Sequence, residues 1–329
     1  MTASPREALF GANEQQPPAL PVCDHYAGVP ARMHKSLALQ AELGPVFDVT
    51  LDIEDGAPLG GEVEHAQGIA ELLASPANRF SRVGVRVLPW RHPRFEAVLE
   101  ALLRGPRKPA YLMLPKPEGL GDARAAVAAI DGAGAPDVPL HALIETHGAL
   151  HEVFAIAALS RIESLSFGLM DFVSAHRGAI PQTAMQADGQ FDHPLVVRAK
   201  LEIAAACHAH AKVPSHCVVT EFKDTQALAQ AAEMAQQLLG YTRMWSIHPD
   251  QIRVIVDAFS PTVAQIDEAV EILTKAEAAS WGPIRFEDRL HDRASYRYFW
   301  QLLERAQRTA LAGIPALPAE VRERWFGAA

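Results

Sequence analysis

From residue 47 onward the chain alternates between two hydrophobic periods. In FDVTLDIE (47–54) every second residue is apolar (Phe47, Val49, Leu51 and Ile53), and the residues between them are polar. A period of two belongs to an extended strand with one face against a core. An Ala/Leu-rich stretch around 62–73 follows with helical spacing, and the couple then recurs. Strands are predicted over 83–88, 110–115, 140–145, 163–167, 213–220 and 243–247, with helices over 93–103, 122–130, 150–159, 194–211 and 225–239. With a first strand near 20–24, eight strands precede Pro249. Alternating strands and helices specify parallel pairing with right-handed crossovers. Eight of them favour an α/β fold of the TIM (β/α)8 barrel type over an open doubly wound sheet. No G-x-G-x-x-G follows the first strand, which argues further against a dinucleotide fold.

The barrel is expected over 19–260, followed by a C-terminal helical extension or lid over 261–329. Within that extension helices are predicted at 261–279 and 296–312, around an irregular stretch at 281–292. Tyr298, Phe299 and Trp300 are a heavy aromatic load for a terminal helix. They either cap the barrel's own helices or pack on a neighbouring subunit, and the sequence leaves both open. Residues 1–18 lack the apolar run of a secretory signal and are expected to be a disordered lead.

Composition narrows the class. The 329 residues are 49% hydrophobic and carry a net charge of −9. Without a basic face, nucleic acid is not the expected partner. No stretch approaches the ~20 apolar residues of a membrane span. Cys23, Cys207 and Cys217 lack C-x-x-C spacing, so they are expected as buried free thiols in a reducing, cytoplasmic setting.

In a barrel the strand C-termini and the loops after them form the active face. The polar residues at those positions are Asp52, Glu54, Asp55, Arg86, Lys116, Glu145, Asp171, Ser246 and His248. Glu145 and Asp171, on adjacent strands, are the oxygen ligands that a hard dication such as Mg²⁺ (or Mn²⁺) takes, with water and a substrate oxyacid completing its shell. The structural alternative is that each carboxylate pairs with an arginine or caps a helix. Gly168 is expected to turn the backbone sharply and aim Asp171 inward. Asp52 and Glu54 fall on the lumen side of their strand. They are read as holding metal-bound water or orienting Arg86 and Lys116. No H-E-x-x-H occurs, which leaves a zinc-hydrolase reading weak, and without a G-x-S-x-G a serine-hydrolase reading fails.

Several stretches, in order, resemble the citrate lyase β-subunit-like, malyl-CoA lyase-like branch of the HpcH/HpaI aldolase superfamily. They are FDVTLDIEDGAP (47–58), VGVRV (83–87), LMLPKPEG (112–119), ALIETHGAL (142–150), ESLSFGLMDF (163–172) and WSIHPDQI (245–252). The resemblance implies a homotrimeric or hexameric lyase with Mg²⁺ at Glu145 and Asp171. It implies that Arg86 polarises the carbonyl of a 2-oxo acid, and that an aspartate in the lid, best matched by Asp292, completes catalysis. The substrate implied is a 3-hydroxyacyl coenzyme A thioester such as malyl-, citramalyl- or citryl-CoA. The family's first strand commonly reads LFVPG. This chain has PVCDHYAGVPARMHKSL (21–37) instead, where Arg32 and Lys35 are the residues placed to meet coenzyme A phosphates. Alternatives carried forward are an aldolase on a free hydroxy-oxo acid, a thioester hydrolase on the same scaffold and a non-catalytic lyase subunit.

Overall fold

A short helix, α1 (Pro5–Leu9), precedes eight parallel strands that close into a barrel in sequence order. The computed structural model describes residues 5–11 and 14–327. The strands are β1 (Cys23–Ala27), β2 (Phe47–Asp52), β3 (Val83–Arg86), β4 (Leu112–Leu114), β5 (Leu140–Ile144), β6 (Ile162–Phe167), β7 (Val213–His216) and β8 (Arg243–Ser246). Closure is explicit in the register: Cys23 pairs with Phe47 on one side and with Met244 on the other. The intervening helices are α2 (Pro30–Leu43), α3 (Glu62–Ala74), α4 (Phe95–Leu103), α5 (Leu120–Gly132), α6 (His147–His151), α7 (Val153–Ala157), α8 (Leu169–Ser174), α9 (Pro194–Ala209), α10 (Thr225–Gln237) and α11 (Pro249–Phe259).

The expected alternation sets the layers. Phe47, Val49 and Leu51 are fully buried on one side of β2, and Asp48, Thr50 and Asp52 are buried on the other, toward the lumen. Two elements move. β1 begins at Cys23 rather than near residue 20, because Pro21 has no N–H to give a ladder. The strand expected over 213–220 ends at His216.

Contacts divide the chain into two compact units, Pro17–Ala258 and Phe259–Ala329 with the segment up to Gln16. In the second unit α12 (Val263–Ala278) opens with a Thr262/Gln265 capping box. The stretch expected to be irregular holds a hairpin, β9 (Ile284–Phe286) and β10 (Arg289–His291). Its turn residues Glu287 and Asp288 have φ of 44° and 61°, so the turn lacks the Asn-Gly signature that reveals such hairpins. α13 (Arg293–Arg308) and a further helix, α14 (Ala319–Phe326), complete the unit.

The lead is not loose where it is described. Leu9 and Phe10 are buried in one apolar cluster with residues of α12, α13 and α14, and Arg297 Nε donates to the Leu9 carbonyl at 2.9 Å. Residues 1–4 and 12–13 of the expected lead lie outside the described residues. Phe299 and Trp300 join the same cluster, Trp300 stacking on Phe326 at 4.9 Å. These two aromatics therefore fill their own unit's core, and Tyr298 alone of the three is largely exposed. Cys23, Cys207 and Cys217 are free and buried. No described helix is long and apolar enough to cross a membrane.

Candidate active site at the barrel mouth

Arg86 ends β3 opposite Asp52, its register partner at the end of β2. Its guanidinium is forked onto Asp52, Nε to Oδ1 at 2.7 Å and Nη2 to Oδ2 at 2.5 Å. Its Nη1 lies 3.1 Å from Glu54 Oε2. Asp52 is itself fixed by the backbone N–H groups of Glu54 and Gly56. Burial works against the charge on Arg86, yet the Asp52 bond and the Asp52 and Glu54 charges outweigh it and hold the guanidinium protonated. A planar, bidentate pair of this kind places a cation rigidly.

Lys116, after β4, ties the rest together. Its Nζ donates to Glu54 Oε1 and Asp55 Oδ2, each at 2.6 Å, and stands 3.6 Å from Asp171 Oδ1. Its backbone N–H donates to Glu145 Oε1 at 2.9 Å. Lys116 sits at φ 48°, a left-handed conformation that disfavours a lysine. That geometry lets one residue serve Glu145 from the main chain and three other carboxylates from the side chain. Burial raises Glu54 from its ordinary value despite the pull of Arg86 and Lys116.

Glu145 follows β5 and is 2% exposed. Burial, then the charge of Asp171, push its carboxyl well above the usual range, and the Lys116 N–H and Arg86 only partly offset them. Asp171 lies in the first turn of α8, with its side chain 41% exposed. The glycine before α8 serves a different purpose from the one expected. Gly168 has φ −92° and ψ 82°, a conformation other residues reach. A Cβ there, however, would stand 2.2 Å from Glu145 Oε2 and 2.6 Å from its Cβ. Glycine is needed for close approach to Glu145.

These carboxylates fit a hard dication. Glu145 is buried and disfavours its own charge, and Asp171 adds to that cost, so a shared cation would relieve both. Among the described residues no group of three or more His, Cys, Asp or Glu is placed to hold a metal. Two carboxylates therefore leave most of a coordination shell to water and substrate oxygens, as suits Mg²⁺.

Beneath the charged ring lies an apolar layer that sequence reasoning missed. Met113, Leu143 and Trp245 form one buried cluster with Tyr26 and Val218 packed on it. Below that is a second charged layer, also missed. Arg243, fully buried, is ion-paired with Asp48 (Nη1 to Oδ2, 2.6 Å) and with Asp24 (Nη2 to Oδ2, 3.1 Å). Thr50 and Tyr111 hydroxyls donate to Asp24 Oδ1. The only signal for this layer was parity: Asp48 and Thr50 share the strand face of Asp52.

The other expected residues have surroundings of their own. Arg32 and Lys35 are exposed in the first turns of α2, the helix that follows β1. Ser246 turns away from the lumen, where its Oγ meets His25 Nδ1 at 2.9 Å. His248 stacks on Phe222 at 5.0 Å. Asp292 belongs to the second unit, where it is the N-cap of α13 and accepts from the Ala294 and Ser295 N–H groups.

The profile of the HpcH/HpaI aldolase/citrate lyase family matches residues 34–249. A citrate lyase crystal structure from Burkholderia xenovorans LB400 is 54% identical, covers 97% of this chain and 98% of its own, and superposes with a TM-score of 0.84. The L-malyl-CoA/beta-methylmalyl-CoA lyase of Rhodobacter capsulatus is 26% identical over 281 residues, 79% of this chain and 87% of that protein. The CitE protein of Mycobacterium tuberculosis, in complex with magnesium, acetoacetate and coenzyme A, is 22% identical over 88% of this chain and 99% of its own. Its TM-score of 0.69 speaks for the fold.

Proposed function

The chain belongs to the HpcH/HpaI aldolase/citrate lyase family and is a carbon–carbon lyase; from that premise we propose that it is Mg²⁺-dependent and cleaves, or in reverse forms, a 3-hydroxyacyl coenzyme A thioester of the malyl, citramalyl or citryl type, with a 2-oxo acid as co-product. Glu145 and Asp171 would hold the dication. When bound there it supplies positive charge to the oxygens of the oxo acid. The observation that carries this reading is the buried Glu145, raised by burial and by Asp171, beside an arginine that is already neutralised.

The protein's own groups supply the rest. Arg86 uses its Nε and one Nη2 donor for Asp52 and is ion-paired through Nη1 with Glu54. One N–H on each η nitrogen is left for the oxyanion that develops as the carbon–carbon bond moves. Because the guanidinium is pinned before substrate arrives, no reorganisation is required in the transition state. Lys116 keeps Glu54 and Asp55 paired and orients Glu145 through its N–H. Asp292 is assigned the proton transfer at the enolate carbon, delivered by the lid of an adjacent subunit in a trimer or hexamer. Arg32 and Lys35 are assigned the coenzyme A phosphates.

The test is a substrate panel. The protein with Mg²⁺ is offered malyl-CoA, citramalyl-CoA and citryl-CoA, and separately free 4-hydroxy-2-oxo acids, while glyoxylate, pyruvate, oxaloacetate and free coenzyme A are followed. A 2-oxo acid released with an acyl-CoA supports the reading. Turnover of free acids alone overturns the thioester assignment, and free coenzyme A without a 2-oxo acid marks a hydrolase.

A further inference from the structure

The apolar layer under the charged ring bears on which 2-oxo acid the site takes. Tyr26 (β1) stacks on Trp245 (β8), ring centroids 4.3 Å apart and 27° between planes. The Arg86 guanidinium stands 5.6 Å above the Tyr26 ring. Met113 (β4) and Leu143 (β5) approach Trp245 from the far wall of the barrel, and only the lumen brings β1 and β8 against β4 and β5. Leu143 lies two residues before Glu145, which places it about 6–7 Å below Glu145 along the strand. Barrel interiors are usually filled by branched aliphatic residues. Here the two bulkiest members of the layer, Tyr26 and Trp245, are aromatic.

We propose that the Tyr26–Trp245 stack, with Met113 and Leu143, is the floor of the oxo-acid pocket and limits it to the shortest 2-oxo acid, one with hydrogen rather than carbon as the second substituent of its carbonyl: glyoxylate. An acid whose carbonyl lies at Arg86 and whose carboxylate lies toward Glu145 and Asp171 has its remaining substituent directed at this floor. Two stacked rings that meet a buried methionine and leucine from the far wall offer it no depth. This inference rests on the lyase reading for the position of the carbonyl.

The test uses the full chain with Mg²⁺, as wild type, Trp245→Leu, Leu143→Ala and Tyr26→Phe. Condensation of acetyl-CoA and propionyl-CoA with glyoxylate, pyruvate and 2-oxobutyrate is assayed, and binding of the three acids is measured by calorimetry. Wild type is expected to prefer glyoxylate. Trp245→Leu and Leu143→Ala, which open the floor from opposite walls, each raise the 2-oxobutyrate to glyoxylate ratio of kcat/KM by about tenfold or more, the lower end of what a single methylene commands, for acids that differ by two carbons. Tyr26→Phe keeps the wild-type ratio, because the ring and not the hydroxyl forms the floor. Equal losses for all three acids in both opened variants, or a wild type that takes pyruvate as well as glyoxylate, overturn the proposal. Turnover with an unmoved ratio sinks the floor and spares the lyase reading. Binding that follows the floor without any condensation sinks the lyase reading and spares the floor.

Discussion

Gly168→Ala is the sharpest single perturbation of the site. The backbone at φ −92° and ψ 82° accepts alanine, so torsional strain contributes nothing. The new methyl would lie 2.2 Å from Glu145 Oε2, 2.6 Å from its Cβ and 3.0 Å from its Cδ. The carboxylate end can swing away, but the Cβ moves only with the end of β5. Overpacking of this kind costs about 1–3 kcal/mol. At about 2–4 °C per kcal/mol for a domain of this size, the melting temperature should fall by about 2–12 °C. The displaced Glu145 should also lose its Lys116 N–H bond, weakening Mg²⁺ binding by about 10–100-fold. Thermal unfolding and calorimetric Mg²⁺ titration read the two effects. In a Glu145→Gly background the stability cost should vanish, because the atoms it struck are gone. A Gly168→Ala variant that melts and binds Mg²⁺ like wild type, or whose cost persists beside Glu145→Gly, refutes the steric role of Gly168.

Asp292 separates a cap from a catalyst. Asp292→Ala should lose about 1 kcal/mol of α13 capping, whereas Asp292→Asn keeps the cap, and a loss of turnover in the Asn variant at unchanged melting temperature marks chemistry. In the metal-free protein Glu145 ionises above its ordinary range. Its contribution to stability is therefore complete below about pH 4.5 and declines as pH rises above that value. The rise in melting temperature on adding Mg²⁺ should accordingly grow with pH, and Glu145→Gln should abolish that growth; a Mg²⁺ effect independent of pH contradicts it. Arg32→Ala with Lys35→Ala should raise KM for a thioester, less so at high salt, and leave calorimetric binding of the 2-oxo acid unchanged; equal effects on both would place these residues elsewhere.

Much of this was legible because a barrel repeats a local pattern. FDVTLDIE fixes strand, faces and lumen parity from eight consecutive residues, and the same parity put Asp52 and Glu54 beside Arg86. What escaped depends on contacts remote in sequence. Arg243 meets Asp24 and Asp48 only when β8 closes on β1, and a mid-strand charge shows nothing of that closure. The α1 segment looked like a polar lead because Leu9 and Phe10 find their partners some 260–315 residues on. Gly168 was noticed for its flexibility, although its role is set by a side chain on the neighbouring strand.

The most direct measurement follows the carbon–carbon bond itself. Acetyl-CoA and ¹³C-labelled glyoxylate are incubated with the protein and Mg²⁺, with the protein and a chelator, and with the Glu145→Gln and Asp171→Asn variants, and products are read by mass spectrometry. The account predicts a labelled malyl thioester with the Mg²⁺-loaded wild type, and its near-complete loss in the other three. A labelled thioester formed undiminished with the chelator present, or by both variants, would contradict a dication held between Glu145 and Asp171.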